Sequence, residues 1–331
     1  TPALYTHYHR RVIDVVETVL PVERVCSIDE MRFTLLGAER IPEQAREIAK
    51  LMKQALYDGV GPCMTCSVGI APNSFLAKLA TDMQKPDGLV VLEDSDLPHA
   101  LHRLQLRELC GIGRAMEKRL NRHGIISVEQ LCAASKPVLY RAWGSVEGER
   151  LYGKLRGEWT PATPAHERAS ISHSHVLAPE FRNAAGVESV LKKLLQKAAM
   201  RLRSEKLVAG RLQAKIKYLD GPSWKELAWC NDTDDSHVLL RQLNELLANR
   251  PARGRPLAVS VVLWDLRERI GSTDDLFATA AEQDHAPLSA LMDRINERFG
   301  FQKINYASSQ NAAQAAPMRI ACQPDSHIPA L

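Results

Sequence analysis

Two carboxylates stand side by side at Asp29 and Glu30, at the end of the run Val25-Cys26-Ser27-Ile28. Phosphoryl transfer by a pair of divalent ions needs several carboxylates around ions ~3.5–4 Å apart, which activate a hydroxyl and steady a departing pyrophosphate. Asp29 is of the type to bridge such ions, and Glu30 to hold one of them. An exposed acidic turn is the plainer reading of the same two residues, so the surroundings must decide between them.

A second candidate lies at Leu109-Cys110-Gly111-Ile112-Gly113-Arg114, followed by a helical run from Met116 to Arg122 and then Gly124-Ile125. Glycines between two helical segments are the pattern of a helix-hairpin-helix. They let backbone N–H groups approach a phosphate, and the following helix N-terminus adds its dipole. Arg114 and Lys118 would add charge there; the alternative is a plain helix–helix turn. Cys63 and Cys66 form a CxxC, but no second ligand pair accompanies it. Cys63-Met64-Thr65-Cys66-Ser67-Val68 reads as a strand, so a structural role is expected. The seven cysteines are scattered through apolar stretches, as in a reduced, cytoplasmic protein.

The elements that must position these groups follow from hydrophobic spacing. Val12, Ile13, Val15, Val16, Val19 and Leu20 predict a helix over 8–20 that Pro21 ends. Residues 25–30 and 31–36 read as two strand-like runs, with the carboxylates at their junction and facing a cleft. A helix is predicted over 43–57 and a strand over 63–70. Asn73 caps a further helix through Phe75, Leu76, Leu79 and Ala80. A turn at Lys85-Pro86-Asp87-Gly88 precedes a short strand over 89–92. From 101 to 159 the pattern changes to short helices broken by glycine, and residues 157–168 supply a linker. Beyond it, strands are predicted at 170–176, 211–218 and 258–264, with helices at 187–202 and 236–247. The tail after about residue 270 is polar, loosely ordered except for one helix over 288–299.

At 331 residues the chain can hold two or three cores. Its 45% hydrophobic and 25% charged content is that of ordinary globular protein, without the apolar run of ~20 residues that spans a bilayer. The net charge is only +4, yet residues 101–220 hold 22 Lys and Arg against 11 Asp and Glu. A cation-rich middle beside an acidic remainder suits a phosphate-backbone grip next to a metal site; solvated helix faces are the alternative. No secretory leader opens the chain, and a first residue Thr1 suggests that an N-terminal segment is missing.

Taken in order, Ser27-Ile28-Asp29-Glu30, Ser67-Val68-Gly69-Ile70-Ala71-Pro72-Asn73, Phe75 to Asp82 and Lys85-Pro86-Asp87-Gly88 closely resemble the palm of Y-family translesion DNA polymerases. Gly111-Ile112-Gly113 falls where that family has its thumb hairpin, and residues 170–265 look like its little finger. The resemblance is nearest to the DNA polymerase IV and UmuC-type branch. It implies a multidomain α+β fold: a partial polymerase palm over 1–97, an all-helical thumb with a helix-hairpin-helix over 98–160, a linker over 161–169, an α+β little finger over 170–268 and a tail over 269–331.

The resemblance also implies roles. Asp29 and Glu30 match the second catalytic aspartate and its neighbouring glutamate, holding two Mg2+ ions. Lys85 matches the lysine on the triphosphate of the incoming deoxynucleotide. Lys78 would serve the primer-side backbone. Arg168, Ser172, His173, Lys215 and Lys217 would track the template backbone, which gives sequence-independent, salt-sensitive binding of primer–template DNA. Thr273-Asp274-Asp275-Leu276-Phe277 resembles the segment by which bacterial polymerases dock on the sliding clamp, with Leu276 and Phe277 as the plugs. The expected setting is the bacterial cytoplasm at the nucleoid, as a monomer, with no membrane partner.

Departures from the pattern matter as well. The family begins with a strand bearing the first catalytic aspartate and a steric-gate aromatic, then fingers with an arginine and a tyrosine. None of these is present: the first acidic residue is Asp14, inside the first predicted helix, and Met31-Arg32-Phe33-Thr34 replaces the usual continuation after the acidic pair. The chain as given is therefore expected to bind DNA without extending a primer. Three readings stay open: a translesion polymerase fragment, a non-catalytic adaptor of the same superfamily between clamp and another polymerase, and a repair glycosylase or lyase on a helix-hairpin-helix. The last would need a catalytic Asp or Lys soon after the hairpin, where 120–140 offers only Lys136 beside Pro137.

Overall fold

In the computed structural model, residues 2–159, 169–251, 254–269, 286–300, 303–312, 315 and 316 are described. The chain divides into two compact units near residue 162.

The first unit begins with α1 (Pro2–Glu17), whose apolar stripe packs on α2 (Pro42–Gly59). Val16 and Leu20 meet Met52 and Leu56 in a small core that Val12, Val15, Met31 and Phe33 close at its rim. Between the helices, β1 (Arg24–Val25) and β2 (Met31–Arg32) pair antiparallel. These strands are far shorter than the runs read from the sequence over 25–30 and 31–36. The chain bends at residues 27–29 instead, and the Glu30 carbonyl closes the turn by accepting the N–H groups of Cys26 and Ser27 at 2.8 and 3.1 Å.

β3 (Val68–Ile70) and β4 (Leu89–Val91) run parallel, joined by α3 (Ser74–Met83). Gly69 is required there, since a Cβ would meet the Ala77 carbonyl oxygen of α3 at 2.1 Å. The strand expected over 63–70 is confined to its last three residues, and Cys63 lies in a turn. Cys63 and Cys66 are both free thiols.

Past β4 come α4 (Arg114–Arg122), α5 (Val128–Ala133), α6 (Lys136–Trp143) and α7 (Glu147–Lys154). Leu120, Leu131, Leu139 and Leu155 of this helical part share one core with Leu76, Leu79 and Ala80 of α3. Packing is therefore continuous across the boundary expected at 97/98.

In the second unit, β5 (Ser170–Val176), β6 (Leu207–Tyr218), β7 (Trp224–Thr233) and β8 (Pro256–Glu268) form an antiparallel sheet in the order β5-β8-β6-β7. Strand β7 was not legible in the sequence. α8 (Ala184–Ser204) and α9 (Ser236–Ala248) supply the rest of the core, against which Leu212, Ala214 and Ile216 of β6 point. By the two-residue period of a strand, Arg211, Gln213, Lys215 and Lys217 point to the other face.

The described residues of the tail are more ordered than its composition suggests. α10 (Ala286–Phe299) is tied to α8 by Arg203, whose guanidinium grips Asp293 at 2.6 and 3.0 Å. Residues 303–312, expected to be loose, also dock on α8: Lys193 Nζ donates to the Ala312 carbonyl at 3.0 Å. The linker expected at 161–169 lies almost wholly outside the described residues. Among the described residues no helix is long and apolar enough to cross a membrane.

Candidate active site

The carboxylate pair sits in the turn between β1 and β2, and α1 fixes that turn from below. His9 Nδ1 lies 2.7 Å from the Ile28 carbonyl, and Ser27 Oγ donates to Asp29 Oδ1 at 2.5 Å. Asp29 is exposed; Glu30 is half-buried. From Glu30 runs an alternating chain of charges along one side of α3. Lys78 Nζ lies 2.6 Å from Glu30 Oε1 and 3.2 Å from Asp82 Oδ2, and Lys85 Nζ lies 2.7 Å from Asp82 Oδ1. A spacing of four residues on a helix sets Lys78 and Asp82 one above the other, and Lys85 comes back over the end of α3 to join them.

The network shifts its own protonation. Burial alone would lower the Lys78 ammonium, but its bonds to Glu30 and Asp82 outweigh that and hold it above the ordinary lysine range. Burial likewise pushes the Asp82 carboxyl up, and the Lys85 and Lys78 ammoniums more than reverse it, leaving it below the usual carboxylate range. The Cys110 thiol of the glycine hairpin lies within the field of Lys78, Asp82 and Glu30, and burial pushes it above an ordinary thiol. Hairpin and carboxylates are thus neighbours within the first unit.

One positioning residue, Lys53, and a second role of Asn73 escaped the sequence reading. Lys53 of α2 reaches the Cys66 carbonyl at 2.8 Å, the Asp87 carbonyl at 2.7 Å and Asp87 Oδ1 at 2.6 Å, so it clamps the turn that carries Lys85. No periodicity reveals this; it is a lysine on a helix's polar side until the fold brings the turn to it. Asn73, expected only as a helix cap, accepts from the Leu76 N–H at 2.9 Å and also donates to the carbonyls of Lys154 and Glu158 at 2.9 and 3.1 Å. It ties the start of α3 to the end of the helical part.

At the hairpin, Gly111 has φ +88°, where a side chain is strained, whereas Gly113 has an ordinary extended backbone and open space around it. The fold requires glycine at the first position only. Gly113 caps α4, and Arg114 and Lys118 project from that helix into solvent. The helical segment expected before the hairpin is a single 3-10 turn, Leu106–Glu108.

In the second unit, Ser172 of β5 and Lys215 and Lys217 of β6 are exposed on the outer face of the sheet. His173 is not with them. It points to the α8 side, its Nε2 sealed from solvent, and burial together with the Lys197 and Arg201 charges drives the imidazole down to about 4. A neutral, inward histidine cannot track a backbone from the outer face, so that expectation is corrected. The signal was available: Ile171 is buried, and two-residue alternation puts His173 on the same side. Arg168, Leu276 and Phe277 lie outside the described residues.

Whether Asp29 and Glu30 suit a metal can be tested on their oxygens. Asp29 Oδ1 and Glu30 Oε1 are engaged by Ser27 and Lys78, while the second oxygen of each has no partner among the described residues. Hard oxygen donors of this kind fit a divalent cation such as Mg2+. No group of three or more His, Cys, Asp or Glu able to hold a metal occurs among the described residues, so the pair supplies part of a ligand set.

Comparison with known proteins accords with this geometry. Residues 1–82 match the impB/mucB/samB family and residues 168–274 match the impB/mucB/samB family C-terminal domain. DNA polymerase IV of Moorella thermoacetica is 30% identical over 317 residues, which is 94% of this chain and 78% of that protein. DNA polymerase IV of Pelotomaculum thermopropionicum is 30% identical over 93% of this chain and 77% of its own length, and DNA polymerase IV 1 of Bacillus subtilis is 28% identical over 89% and 70%. The chain belongs to the impB/mucB/samB family and is by class a Y-family DNA polymerase. Within that family, the relatives just described are DNA polymerase IV enzymes. The fold agrees: a Y-family DNA polymerase chimera of Dbh and Dpo4 superimposes with a TM-score of 0.63 at 22% identity, over 80% of this chain and 77% of that one.

Proposed function

We propose that this chain contributes Asp29 and Glu30 to a metal-dependent nucleotidyl-transfer site that acts on primer–template DNA and deoxynucleoside triphosphates in damage tolerance. The observation that carries the reading is the continuous Glu30–Lys78–Asp82–Lys85 network beside Asp29. Asp29 and Glu30 would hold Mg2+, which when bound supplies Lewis acidity to the reacting phosphate and hydroxyl. The residues themselves do the rest. Lys78 holds one oxygen of the Glu30 carboxylate, tying it to α3, and leaves the second for an ion. Lys85, clamped by way of Lys53 and Asp87, offers an ammonium to a triphosphate. The bare Gly113 backbone and the N-terminus of α4, with Arg114 and Lys118, suit a DNA phosphate. Ser172, Lys215 and Lys217 suit further phosphates, and clamp docking through Leu276 and Phe277 is part of the same reading.

A second reading, a non-catalytic DNA-binding adaptor between clamp and another polymerase, draws on the two-carboxylate count among the described residues. Fluorescence anisotropy of labelled primer–template DNA, combined with primer extension, separates the possibilities. This chain by itself is expected to bind at low salt, to lose affinity steeply as salt rises, and to leave the primer unextended. Absence of binding at low salt would refute both readings. Full-rate extension by this chain alone would refute the need for further carboxylates.

A further inference from the structure

The outer face of the second unit's sheet carries a row that phosphate binding does not use. Arg211 of β6 lies directly opposite Trp229 of β7 on one side and Trp264 of β8 on the other, and Trp264 lies opposite Ser170 of β5. Residues directly opposite in antiparallel strands share a face, so Trp264, Arg211 and Trp229 form one band across three strands. Trp229 is 68% exposed and Trp264 38%. Two indoles left in water on a sheet whose other face is well packed are a large apolar surface without a packing reason.

Their neighbours favour a planar, electron-rich ligand. The Arg211 guanidinium lies 4.0 Å from the Trp229 ring centroid, so one face of the indole is occupied and the ring is held in a fixed plane. Arg211 is itself neutralised by Asp265, with Nε 2.6 Å from Oδ2. It is therefore committed to the indole and the carboxylate rather than to a phosphate. A depression of about 410 Å³ opens beside the indole, lined by Gly210, Trp229, Asn231, Asp232, Asp265 and Arg267. Asp232 and Asp265 both have positive φ, +39° and +52°, and β7 bulges between Trp229 and Thr233, where three of its residues face only Gly210 of β6. The bulge and the two strained aspartates open this corner of the sheet, which is lined by Asn231 and by Asp232 and Arg267, themselves paired with Nη1 2.6 Å from Oδ2, so that a base edge would meet the Asn231 amide and the remaining atoms of that ion pair. Lys215, Lys217 and Lys225 stand further along the same face, on β6 and β7, where they complement a polyanion.

We propose that this corner binds unpaired bases of a nucleic-acid single strand: a base stacks on the open face of Trp229 and its edge enters the depression, while the lysines take the adjoining phosphates. Aromatic stacking is tolerant of sequence because every base has a π-face, and it is denied to a base held inside a duplex. The site rests on the DNA-binding reading above and adds to it a preference for single-stranded regions.

The test compares the unmodified chain with Trp229→Ala and Trp229→Phe, using a short labelled oligothymidylate and a blunt duplex as probes. Trp229→Ala is expected to weaken oligothymidylate binding roughly tenfold and duplex binding by less than twofold, and Trp229→Phe to restore most of the loss. Oligothymidylate should also quench the intrinsic fluorescence of the unmodified chain more than that of Trp229→Phe, a readout that survives if the alanine variant folds poorly. Equal loss on both probes, no loss on either, or equal quenching in the two proteins would overturn the inference. If the unmodified chain binds neither probe, the DNA-binding reading fails first, and that result is distinct from a loss of single-strand preference.

Discussion

Replacing Lys78 by Met tests the charge network at its hub. The ammonium contacts Glu30 at 2.6 Å and Asp82 at 3.2 Å, and its side chain is 34% exposed. Solvent screens such pairs, so the two together are worth about 1 kcal/mol rather than the several that a buried pair at those distances would give. For a unit of this size that is a fall in melting temperature of about 2–4 °C. The effect on metal binding has the opposite sign. An ammonium and a divalent ion on one carboxylate repel each other by about 1–2 kcal/mol even at the dielectric constant of water. Lys78→Met should therefore tighten Mg2+ binding by roughly tenfold while slightly loosening the fold. Calorimetric titration with Mg2+, alongside thermal melting, reads both quantities. Unchanged or weaker Mg2+ binding in a variant that melts as expected would refute Glu30 as a metal ligand.

Other positions give independent checks. Asn73→Ala removes a helix cap and leaves the Lys154 and Glu158 carbonyls short of a donor, so it should cost about 2–3 kcal/mol in chemical denaturation. Gly111→Ala should cost about 1 kcal/mol because φ there is +88°, whereas Gly113→Ala should leave stability unchanged and weaken duplex DNA binding severalfold; equal melting losses in the two would contradict this. His173 has a folded value of about 4, below the 6.5 of a free imidazole. Below pH 6.5 the unfolded chain takes up a proton that the folded unit refuses, so stability present above pH 6.5 is lost as pH falls toward 4, by about 3 kcal/mol in all. Denaturation of His173→Gln across that window should show a correspondingly flatter pH profile.

The order of elements was legible where burial repeats with a simple period. α3 announces itself through the Asn73 cap and the spacing of Leu76, Leu79 and Ala80, all of them in the core. α8 and β6 are legible for the same reason, with Leu212, Ala214 and Ile216 alternating against polar neighbours. β7 hides because its inner positions include Glu226 and its outer ones Leu227 and Trp229, so hydrophobicity does not follow the strand period. The strands around the carboxylates were read too long because residues 27–30 are held in a turn by backbone bonds to the Glu30 carbonyl, and side-chain pattern carries no trace of those. Asp29, Glu30, Lys78 and Lys85 were singled out through motif order. That Lys78 links Glu30 to Asp82, and that Lys53 clamps Asp87, are contacts across 48 and 34 residues which only the folded chain creates.

The most direct test of the central claim is primer extension by a chain that joins these residues to the further carboxylates the reaction needs, with and without Asp29→Ala, in the presence of Mg2+. Loss of extension with primer–template binding retained is the predicted result. Undiminished extension by the Asp29→Ala protein would contradict it.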